Sequence, residues 1–413
     1  MTPLKLVLIG NGMAGVRTLE ELLKIAPGLY DITVFGAEPH PNYNRIMLSP
    51  VLAGEQTLDE IVLNPLSWYA EHGITLHLGK TVTQIDRVRR LVIAADGTEV
   101  GYDRLLICTG STPFVPPIPG KDLQGVIAYR DIADTQAMID AATRYRHAVV
   151  IGGGLLGLEA ANGLMLRGMQ VTVVHLGEWL MERQLDDQAG DLLRKTLEAR
   201  GLKFMLGAQT KAMIGGADGR VVSVQFKDGR EIPADLVVMA AGIRPNTALA
   251  ASAGLHIGVG RSGGIVVSDT MQTVTDPRIY SVGECAAHRG ITYGLVAPLY
   301  EQGKVCATHL AQFGIGRYTG SQTSTKLKVT GIDLFSAGDF TGGEGCEEIL
   351  LSDPFSGDGG VYKKLVIKDD VLVGACLYGD TADGSWYFKL VREGLSVQQI
   401  RDQLMFGEKT RDD

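Results

Sequence analysis

The stretch LKLVLIGNGMAG at residues 4–15 decides the fold of this chain. Its apolar run predicts a buried strand, and Gly10, Gly12 and Gly15 follow with the spacing Gly-x-Gly-x-x-Gly. At a strand-to-helix corner the first glycine permits a tight turn, the second lets the backbone approach a pyrophosphate, and the third lets the helix pack on the strand. The stretch therefore predicts a unit that binds a dinucleotide at a helix N-terminus.

The same pattern recurs in HAVVIGGGLLG at residues 147–157, where the glycines are Gly152, Gly154 and Gly157. Each copy is completed by further elements, which the sequence predicts as helices over 13–24 and 155–167 and as strands over 31–36 and 170–174. One glycine fingerprint is weak evidence, because glycine-rich turns without a ligand are common. Two complete strand-helix-strand frames predict a protein that holds two dinucleotides at once.

The residues beyond the second strand of each frame differ between the two copies. Glu38 follows the first, and an acid at this place can accept hydrogen bonds from a ribose diol. The second strand ends in His175, which is either a solvated histidine or a contact to the ribose or its 2′-phosphate. An acid there would favour NADH and an arginine NADPH, so the choice of nucleotide stays open, with NADH slightly ahead.

Length and composition are those of a multidomain globular enzyme. The chain has 413 residues, 45% of them hydrophobic and 21% charged, and its net charge is −8. Roughly two or three domains are expected from this length. The acidic balance and the lack of a basic run argue against nucleic-acid binding. No apolar run approaches the roughly 18 residues that span a bilayer, and the chain begins almost directly with a strand, so we expect no membrane partner and a cytoplasmic protein.

The cysteines and histidines indicate neither a redox disulfide nor a metal site. The five cysteines are Cys108, Cys285, Cys306, Cys346 and Cys376, and no pair has the spacing Cys-x-x-Cys. No His-x-x-x-His or Cys/His cluster occurs either, so we predict no metal in this chain.

Further motifs complete a resemblance to a known family. Thr109-Gly110, Ala241-Gly242 and Gly283-Glu284 each follow an apolar run, and all motifs occur in the order found in the two-dinucleotide-binding flavoprotein (pyridine nucleotide-disulfide oxidoreductase) superfamily. The chain resembles its NAD(P)H-dependent ferredoxin and rubredoxin reductase branch. It is more similar still to the FAD/NAD(P)H segment of assimilatory nitrite reductase large subunits and to the FAD subunits of assimilatory nitrate reductases. That closer likeness depends on IGNGMAG (9–15), GGGLLGLEAA (152–161), QLD (184–186) and GLVAP (294–298).

The resemblance implies an α/β fold with two Rossmann-like dinucleotide-binding domains, as in glutathione reductase, and a small α+β C-terminal interface domain. The implied FAD-binding domain is discontinuous, at 1–115 and 243–320. The NAD(P)H-binding domain would span 116–242 and the interface domain 321–413. In that last part we predict a strand at 326–329, a hairpin of 361–367 with 372–377, and helices over 386–392 and 397–405. Its lysines are interpreted as a solvated strand face rather than an acceptor-docking patch.

The resemblance also implies roles for individual residues. The ADP half of FAD would contact Gly10, Gly12, Gly15, Glu38 and Arg45, while Thr109, Gly110, Gly283 and Glu284 would line the rest of FAD. NAD(P)H would contact Gly152, Gly154, Gly157, His175, Ala241 and Gly242. Glu159 would face the nicotinamide as the catalytic residue, although a glutamate in a first helical turn is often only a favourable charge at the dipole. The lysine that many relatives carry after the Arg45 segment is missing from Leu48-Ser49-Pro50, which removes one expected flavin contact.

The predicted function is an FAD-dependent NAD(P)H reductase in assimilatory nitrite or nitrate reduction. Without a cysteine pair, the reduced flavin would pass electrons one at a time to an iron-sulfur, sirohaem or molybdenum-containing reductase module or subunit. Two alternatives stay open: a stand-alone NAD(P)H oxidase or quinone or rubredoxin reductase, and a slow redox-sensing flavoprotein. The resemblance implies that the C-terminal interface domain covers the flavin or mediates dimerisation, so a homodimer is also possible.

Overall fold

The computed structural model describes residues 3–260, 263–329, 331–353, 355–356 and 359–408. The chain divides into two compact units, each assembled from separate stretches of sequence. The first unit comprises Met1–Leu48, Gln56–Pro113 and Ile243–Ser321. The second comprises Ser49–Glu55, Phe114–Gly242 and Gln322–Asp413.

The first unit is built around a five-stranded parallel sheet. Numbered along the whole chain, the strands of this unit are β1 (Leu4–Ile9), β2 (Tyr30–Phe35), β3 (Asn42–Tyr43), β4 (Val62–Asn64), β5 (Thr75–His77), β6 (Val82–Asp86), β7 (Leu91–Ala94), β8 (Glu99–Gly101), β9 (Arg104–Ile107), β10 (Ser111–Pro113), β19 (Ile243–Pro245), β20 (Ile265–Val267), β21 (Ile279–Ser281) and β22 (Ala286–His288). Its helices are α1 (Met13–Ile25), α3 (Leu66–Glu71), α7 (Ala248–Ser252) and α8 (Val296–Leu310), with 3-10 turns at Arg45–Met47 and Asp59–Ile61. The order of the parallel sheet is β21-β9-β1-β2-β5, which places the first fingerprint strand at its centre.

Helix α1 forms where the fingerprint predicts it and buries one face. Val16, Leu19 and Leu22 on that face are almost completely buried. The helix also packs on α8, where a Cβ atom at Gly303 would lie 2.9 Å from the Thr18 hydroxyl oxygen. The close approach of these helices fixes the end of α1 that follows the glycines.

The second unit contains another five-stranded parallel sheet, in the order β11-β18-β12-β13-β14. Its strands are β11 (Val126–Ala128), β12 (His147–Ile151), β13 (Gln170–Val174), β14 (Lys203–Met205), β15 (Thr210–Gly215), β16 (Val221–Phe226), β17 (Glu231–Pro233) and β18 (Leu236–Met239). The helices are α2 (Leu48–Ala53), which enters this unit at Ser49, α4 (Ile132–Arg144), α5 (Leu155–Leu166) and α6 (Asp187–Ala199). The second fingerprint strand, β12, again lies at the centre, so both predicted dinucleotide-binding frames are present.

The C-terminal part of the second unit is an antiparallel sheet followed by helical segments. Its order is β23-β24-β27-β26-β25, and its elements are β23 (Ser324–Val329), β24 (Ile332–Gly338), β25 (Glu347–Asp353), β26 (Val361–Lys368), β27 (Val371–Tyr378) and α9 (Gly384–Glu393). The predicted hairpin is confirmed, and it turns at Asp369 and Asp370, both with positive φ as a tight hairpin turn requires. The second predicted helix is wrong in type: Gln398–Phe406 is a 3-10 helix, in which Leu404 is the buried residue. The α/β class with two Rossmann-like sheets and a C-terminal sheet is therefore confirmed.

Two of the lysines in this sheet are buried, so the interpretation of a solvated strand face is wrong for them. Lys363 and Lys364 are 5% and 7% exposed, and they point to opposite faces of β26. Lys363 Nζ lies 2.7 Å from an Asp380 carboxylate oxygen, and Lys364 Nζ lies 3.1 Å from a Glu348 carboxylate oxygen. These acids compensate the buried charges, and burial also removes both lysines from any docking surface.

The same sheet is tied to the loop before α6 by Asp186, the last residue of the QLD motif. One carboxylate oxygen of Asp186 accepts a hydrogen bond of 3.0 Å from the Ala189 N–H and caps α6. The other accepts a hydrogen bond of 2.6 Å from the Tyr362 hydroxyl and lies 3.8 Å from Lys364 Nζ. Asp186 is itself buried, so three groups depend on one carboxylate.

We expect Asp186→Ala to lower the free energy of unfolding by about 3 kcal/mol, because it removes a helix cap and leaves buried polar groups without their acceptor. Asp186→Asn keeps an oxygen for the cap and should cost clearly less. Urea unfolding followed by circular dichroism measures both variants. Equal stability of Asp186→Ala and the parent chain would contradict this account.

Candidate functional site

The first fingerprint has the geometry of a phosphate-binding corner. Gly10 has φ +105°, and a Cβ atom there would lie 2.1 Å from the Cys108 carbonyl oxygen. A Cβ atom at Gly15 would lie 2.8 Å from the Gly10 carbonyl oxygen, whereas one at Gly12 would meet no heavy atom within 4 Å. Packing thus requires the first and third glycines, and the second leaves room beside the start of α1. This open cradle at a helix N-terminus fits the pyrophosphate of a dinucleotide.

Glu38 and Arg45, both predicted to contact the ADP half of FAD, are brought together in the first unit. One Glu38 carboxylate oxygen lies 2.6 Å from Arg45 Nη2, and the other accepts a hydrogen bond of 2.8 Å from the Tyr43 hydroxyl. The Arg45 guanidinium also stacks over the Tyr43 ring at 5.1 Å. Both charged side chains keep about a third of their surface exposed. The carboxylate is therefore held in place yet remains reachable by a ribose diol.

Thr109 and Gly110 lie just after the carboxyl end of β9, where ligands bind to parallel sheets. The Thr109 hydroxyl donates a hydrogen bond of 2.7 Å to the Asn246 carbonyl oxygen, and the Asn246 N–H donates one of 2.9 Å to the Gly110 carbonyl oxygen. Gly110 has φ +65°, a conformation that favours glycine. The strand end is thus locked to the segment around Asn246.

Glu284 and Gly283 lie beyond the end of β21 in the same unit, and both have partners that sequence reasoning missed. The Ser111 hydroxyl donates a hydrogen bond of 2.8 Å to a Glu284 carboxylate oxygen. The Gly283 N–H donates a hydrogen bond of 3.0 Å to the side-chain oxygen of Gln302, which is fully buried on α8. Ser111 thus holds the Glu284 carboxylate, and Gln302 on α8 holds the backbone just before it. No local pattern around Ser111 or Gln302 signals these contacts.

The second fingerprint repeats the geometry of the first. Gly152 has φ +130°, and its Cβ atom would lie 2.2 Å from the Ala240 carbonyl oxygen. A Cβ atom at Gly157 would lie 2.0 Å from the Gly152 carbonyl oxygen, whereas one at Gly154 would meet no heavy atom within 4 Å. The predicted Ala241 and Gly242 follow β18, the neighbour of β12, and both are exposed. This unit therefore has a second cradle of the same kind, at the N-terminus of α5.

Glu159 lies on α5 in a hydrogen-bonded group that includes two hydroxyls. The Ser49 hydroxyl donates a hydrogen bond of 2.6 Å to a Glu159 carboxylate oxygen, and the Tyr129 hydroxyl lies 3.2 Å from the Ser49 oxygen. Burial of the carboxyl group raises the pKa of Glu159, and the hydrogen bond from Ser49 opposes that rise. Glu159 stands just beyond the first turn of α5, so the interpretation as a charge in that turn is wrong. Leu48-Ser49-Pro50, the segment that lacks the expected lysine, thus supplies the Ser49 hydroxyl to this carboxylate.

Helix α2 reaches Glu159 because it packs closely on α5. A Cβ atom at Gly163 would lie 2.7 Å from Leu52 Cγ, so only glycine allows this approach. Arg167 Nη2 donates a hydrogen bond of 3.1 Å to the Val51 carbonyl oxygen. Glu159, Gly163 and Arg167 recur every four residues and therefore share one helix face. That spacing is a signal that sequence analysis could have used.

His175 is buried rather than solvated, so that alternative is wrong. Its Nδ1 accepts a hydrogen bond of 3.1 Å from the Gly153 N–H, in the middle of the second fingerprint. Its Nε2 lies 2.9 Å from a carboxylate oxygen of Glu182. The ring therefore packs against the glycine loop that precedes α5.

The thiols of the chain are free and mostly inaccessible. Cys108, Cys285, Cys306 and Cys376 are buried, and Cys346 is partly exposed. Burial raises the pKa of Cys108 and of Cys306, and it raises the pKa of Cys376 to about 12. Buried thiols with a raised pKa stay protonated and are poor nucleophiles.

The part of the chain that the structure describes shows neither a cluster of metal ligands nor a membrane-spanning helix. In that part of the chain no three or more His, Cys, Asp or Glu side chains come together as metal ligands would. None of its helices has both the length and the apolar character needed to cross a bilayer.

Two cradles for dinucleotides, each on its own parallel sheet, define the class of two-dinucleotide-binding oxidoreductases. The sequence profile of the pyridine nucleotide-disulphide oxidoreductase family matches residues 4–312, and that of the rubredoxin NAD+ reductase C-terminal domain matches residues 324–395. The chain therefore belongs to the pyridine nucleotide-disulphide oxidoreductase family. It is an NAD(P)H oxidoreductase whose cofactors are FAD and NAD(P)H.

Individual relatives agree with this assignment. The chain is 50% identical over 395 residues to a nitrite reductase [NAD(P)H] of Bacillus subtilis (strain 168), covering 96% of this chain and 48% of that protein. It is 49% identical over 379 residues to the assimilatory nitrate reductase electron transfer subunit of the same organism, covering 92% of this chain and 48% of that protein. A covalent putidaredoxin reductase-putidaredoxin complex is similar in structure, with TM-score 0.82, 26% identity, and coverage of 96% of this chain and 94% of that chain. The chain thus spans about half the length of the curated relatives it matches.

Proposed function

We propose that this chain is the electron-input module of a nitrite- or nitrate-reducing system. It takes hydride from NAD(P)H and passes electrons one at a time to an iron-sulfur, sirohaem or molybdenum-containing module. The observation that carries the proposal is the similarity of nearly the whole chain to half of a nitrite reductase and to half of a nitrate reductase electron transfer subunit. A segment common to both systems is best explained as the part that handles NAD(P)H.

We assign FAD to the first unit and NAD(P)H to the second. The first cradle, with Glu38 and Arg45, would hold the ADP half of FAD, and the residues around Thr109 and Glu284 would hold the remainder. The second cradle would hold the pyrophosphate of NAD(P)H, beside Ala241 and Gly242. The corresponding domains would be 1–115 with 243–320 for FAD and 116–242 for NAD(P)H. When bound, FAD supplies the step from a two-electron hydride donor to a one-electron acceptor.

Within the second unit, we assign Glu159 the role of orienting the nicotinamide. Ser49 has a single hydroxyl proton and donates it to the Glu159 carboxylate, so Tyr129 must donate to the Ser49 oxygen. Burial raises the pKa of Tyr129, which keeps this phenol a donor. The hydrogen bonds therefore run from Tyr129 to Ser49 and from Ser49 to Glu159, and they hold one carboxylate oxygen in place. The other can then accept a hydrogen bond from the carboxamide of the nicotinamide.

The state of the thiols supports transfer of electrons out of the chain. A relative that reduces disulfides would need a reactive thiolate or a cysteine pair beside the flavin. Cys108 and Cys285, in the first unit, are free and buried, and burial raises the pKa of Cys108. An acceptor outside this chain is the remaining route for the electrons.

Anaerobic titration of the FAD-loaded chain with NADH and with NADPH tests the proposal. We expect rapid bleaching of the flavin absorbance, followed by reoxidation on addition of ferricyanide, a one-electron acceptor. Nitrite alone should leave the flavin bleached, because no metal centre is predicted in this chain. Bleaching that only oxygen reverses would support an oxidase instead, and a long-lived complex resistant to every acceptor would support a redox sensor.

A further inference from the structure

The end of strand β13 carries an unusual arrangement of a histidine and a glutamate. We propose that Glu182, held by His175, supplies the carboxylate that reads the adenosine ribose and makes NADH the preferred hydride donor over NADPH. The inference rests on the proposed function, in which the second cradle binds the nicotinamide nucleotide. In most such cradles an acid at the strand end accepts hydrogen bonds from the ribose diol, and here that position is His175.

The hydrogen bonds of His175 determine which ring nitrogen carries the proton. Nδ1 accepts from the Gly153 N–H, so in the neutral ring the proton is on Nε2. Nε2 lies 2.9 Å from a Glu182 carboxylate oxygen and donates to it. A neutral imidazole paired with an ionised carboxylate leaves one full negative charge at the end of β13.

The ring is also held mechanically against the fingerprint. A Cβ atom at Gly153 would lie 2.8 Å from the His175 ring, so the imidazole packs directly on the glycine loop. Gly177 is similarly close, since its Cβ atom would lie 2.8 Å from Nε2. His175 therefore holds Glu182 at a fixed place relative to the glycine loop, and it acts as a positioning residue.

The backbone on both sides of Glu182 is fixed as well. The Met181 N–H donates a hydrogen bond of 3.1 Å to the Gly153 carbonyl oxygen, and the indole N–H of Trp179 donates one of 3.0 Å to the Leu185 carbonyl oxygen. The Glu182 side chain nevertheless keeps 44% of its surface exposed. Its carboxylate is thus both anchored beside the cradle and open to a ligand.

Charge then decides between the two nucleotides. An anchored carboxylate accepts hydrogen bonds from the 2′- and 3′-hydroxyls of NADH but repels the 2′-phosphate of NADPH. Arg183, the exposed neighbour of Glu182, would have the opposite effect if it reached the phosphate. The hydrogen bond to His175 is what favours Glu182 as the group that faces the ribose.

Equilibrium binding of NAD+ and NADP+ to the FAD-loaded chain, measured by calorimetry, tests the inference. We expect the parent chain to bind NAD+ more tightly by about tenfold or more, in line with a charge-assisted hydrogen bond. Glu182→Gln should reduce that preference about tenfold, and Glu182→Arg should reverse it. Glu178→Gln removes the same charge from an exposed position of the same loop and should leave the preference unchanged.

The outcomes that overturn the inference are distinct from those that overturn the proposed function. A parent chain that prefers NADP+, or a Glu182→Gln variant with the parent's preference, overturns the role of Glu182. Loss of NADP+ binding in Arg183→Ala, with no change in Glu182→Gln, assigns the selection to the arginine and also overturns it. If NAD+ binds selectively but NADH does not bleach the flavin, the proposed function fails while the inference stands. Failure to bind either nucleotide overturns both.

Discussion

Gly157→Ala is expected to destabilise the second unit by about 3 kcal/mol or more. The new methyl group would lie 2.0 Å from the carbonyl oxygen of Gly152 and 3.0 Å from its carbonyl carbon. Gly152 cannot move away easily, because it already packs against the backbone at Ala240. A clash with backbone on both sides belongs to the overpacking that costs most. Thermal unfolding of the variant against the parent chain measures the loss.

Gly154→Ala is the matched control, because the same methyl group meets no protein atom within 4 Å there. Gly154 has φ −84°, which alanine adopts without strain, so we expect a loss of at most about 1 kcal/mol from the weaker helix cap. The effect should instead fall on NAD(P)H, whose affinity we expect to drop about tenfold or more, with the FAD content unchanged. A Gly154→Ala variant that keeps the parent's affinity would show that the pyrophosphate does not pass this glycine.

The contrast between these glycines explains why the fold was predictable from the sequence. Tight turns and close helix-strand contacts leave a strict requirement for glycine at 10, 15, 152 and 157, and the apolar runs before them are buried strands. Such constraints are local, so they are written in consecutive residues. The hairpin at Asp369 and Asp370 was predictable for the same reason.

The contacts around the candidate site were not predictable in the same way. Ser49 reaches Glu159 across 110 positions of sequence, through a helix pairing that depends on Gly163. Lysine is usually solvated, but Lys363 and Lys364 are each paired with an acid of the same part of the fold. Glu348 lies on the neighbouring strand β25, and Asp380 follows β27. His175 is buried because the loop after it folds back over the ring. Long-range pairing of polar groups leaves no periodic pattern in a single sequence.

Glu159→Gln is expected to slow the chain's reaction and to stabilise its fold at the same time. The glutamine can still accept the hydrogen bond from Ser49, but it lacks the charge that we assign to orienting the nicotinamide. We expect anaerobic reduction of the flavin by NADH to be slower by about tenfold or more, since small errors in placement are costly for hydride transfer. Stopped-flow absorbance measures this rate. A rate equal to that of the parent chain would contradict the assigned role.

The effect on stability follows from the sign of the pKa shift. Burial raises the pKa of Glu159 in the folded chain above its ordinary value of 4.5. The folded chain therefore binds the Glu159 proton more tightly than the unfolded chain does. The resulting contribution to the free energy of unfolding is fully present below pH 4.5 and is lost as the pH rises through the raised pKa of the folded chain. Glu159→Gln avoids the loss, so its melting temperature should exceed the parent's at pH 8, and the difference should vanish below about pH 4.

Ser49→Ala is the opposite case, because removing the hydrogen bond raises the pKa of Glu159 further and should destabilise the chain more at pH 8 than at pH 5. A carboxylate that lowers stability while serving the reaction is expected at a catalytic position, whereas one that only holds the fold together would show the reverse dependence on pH.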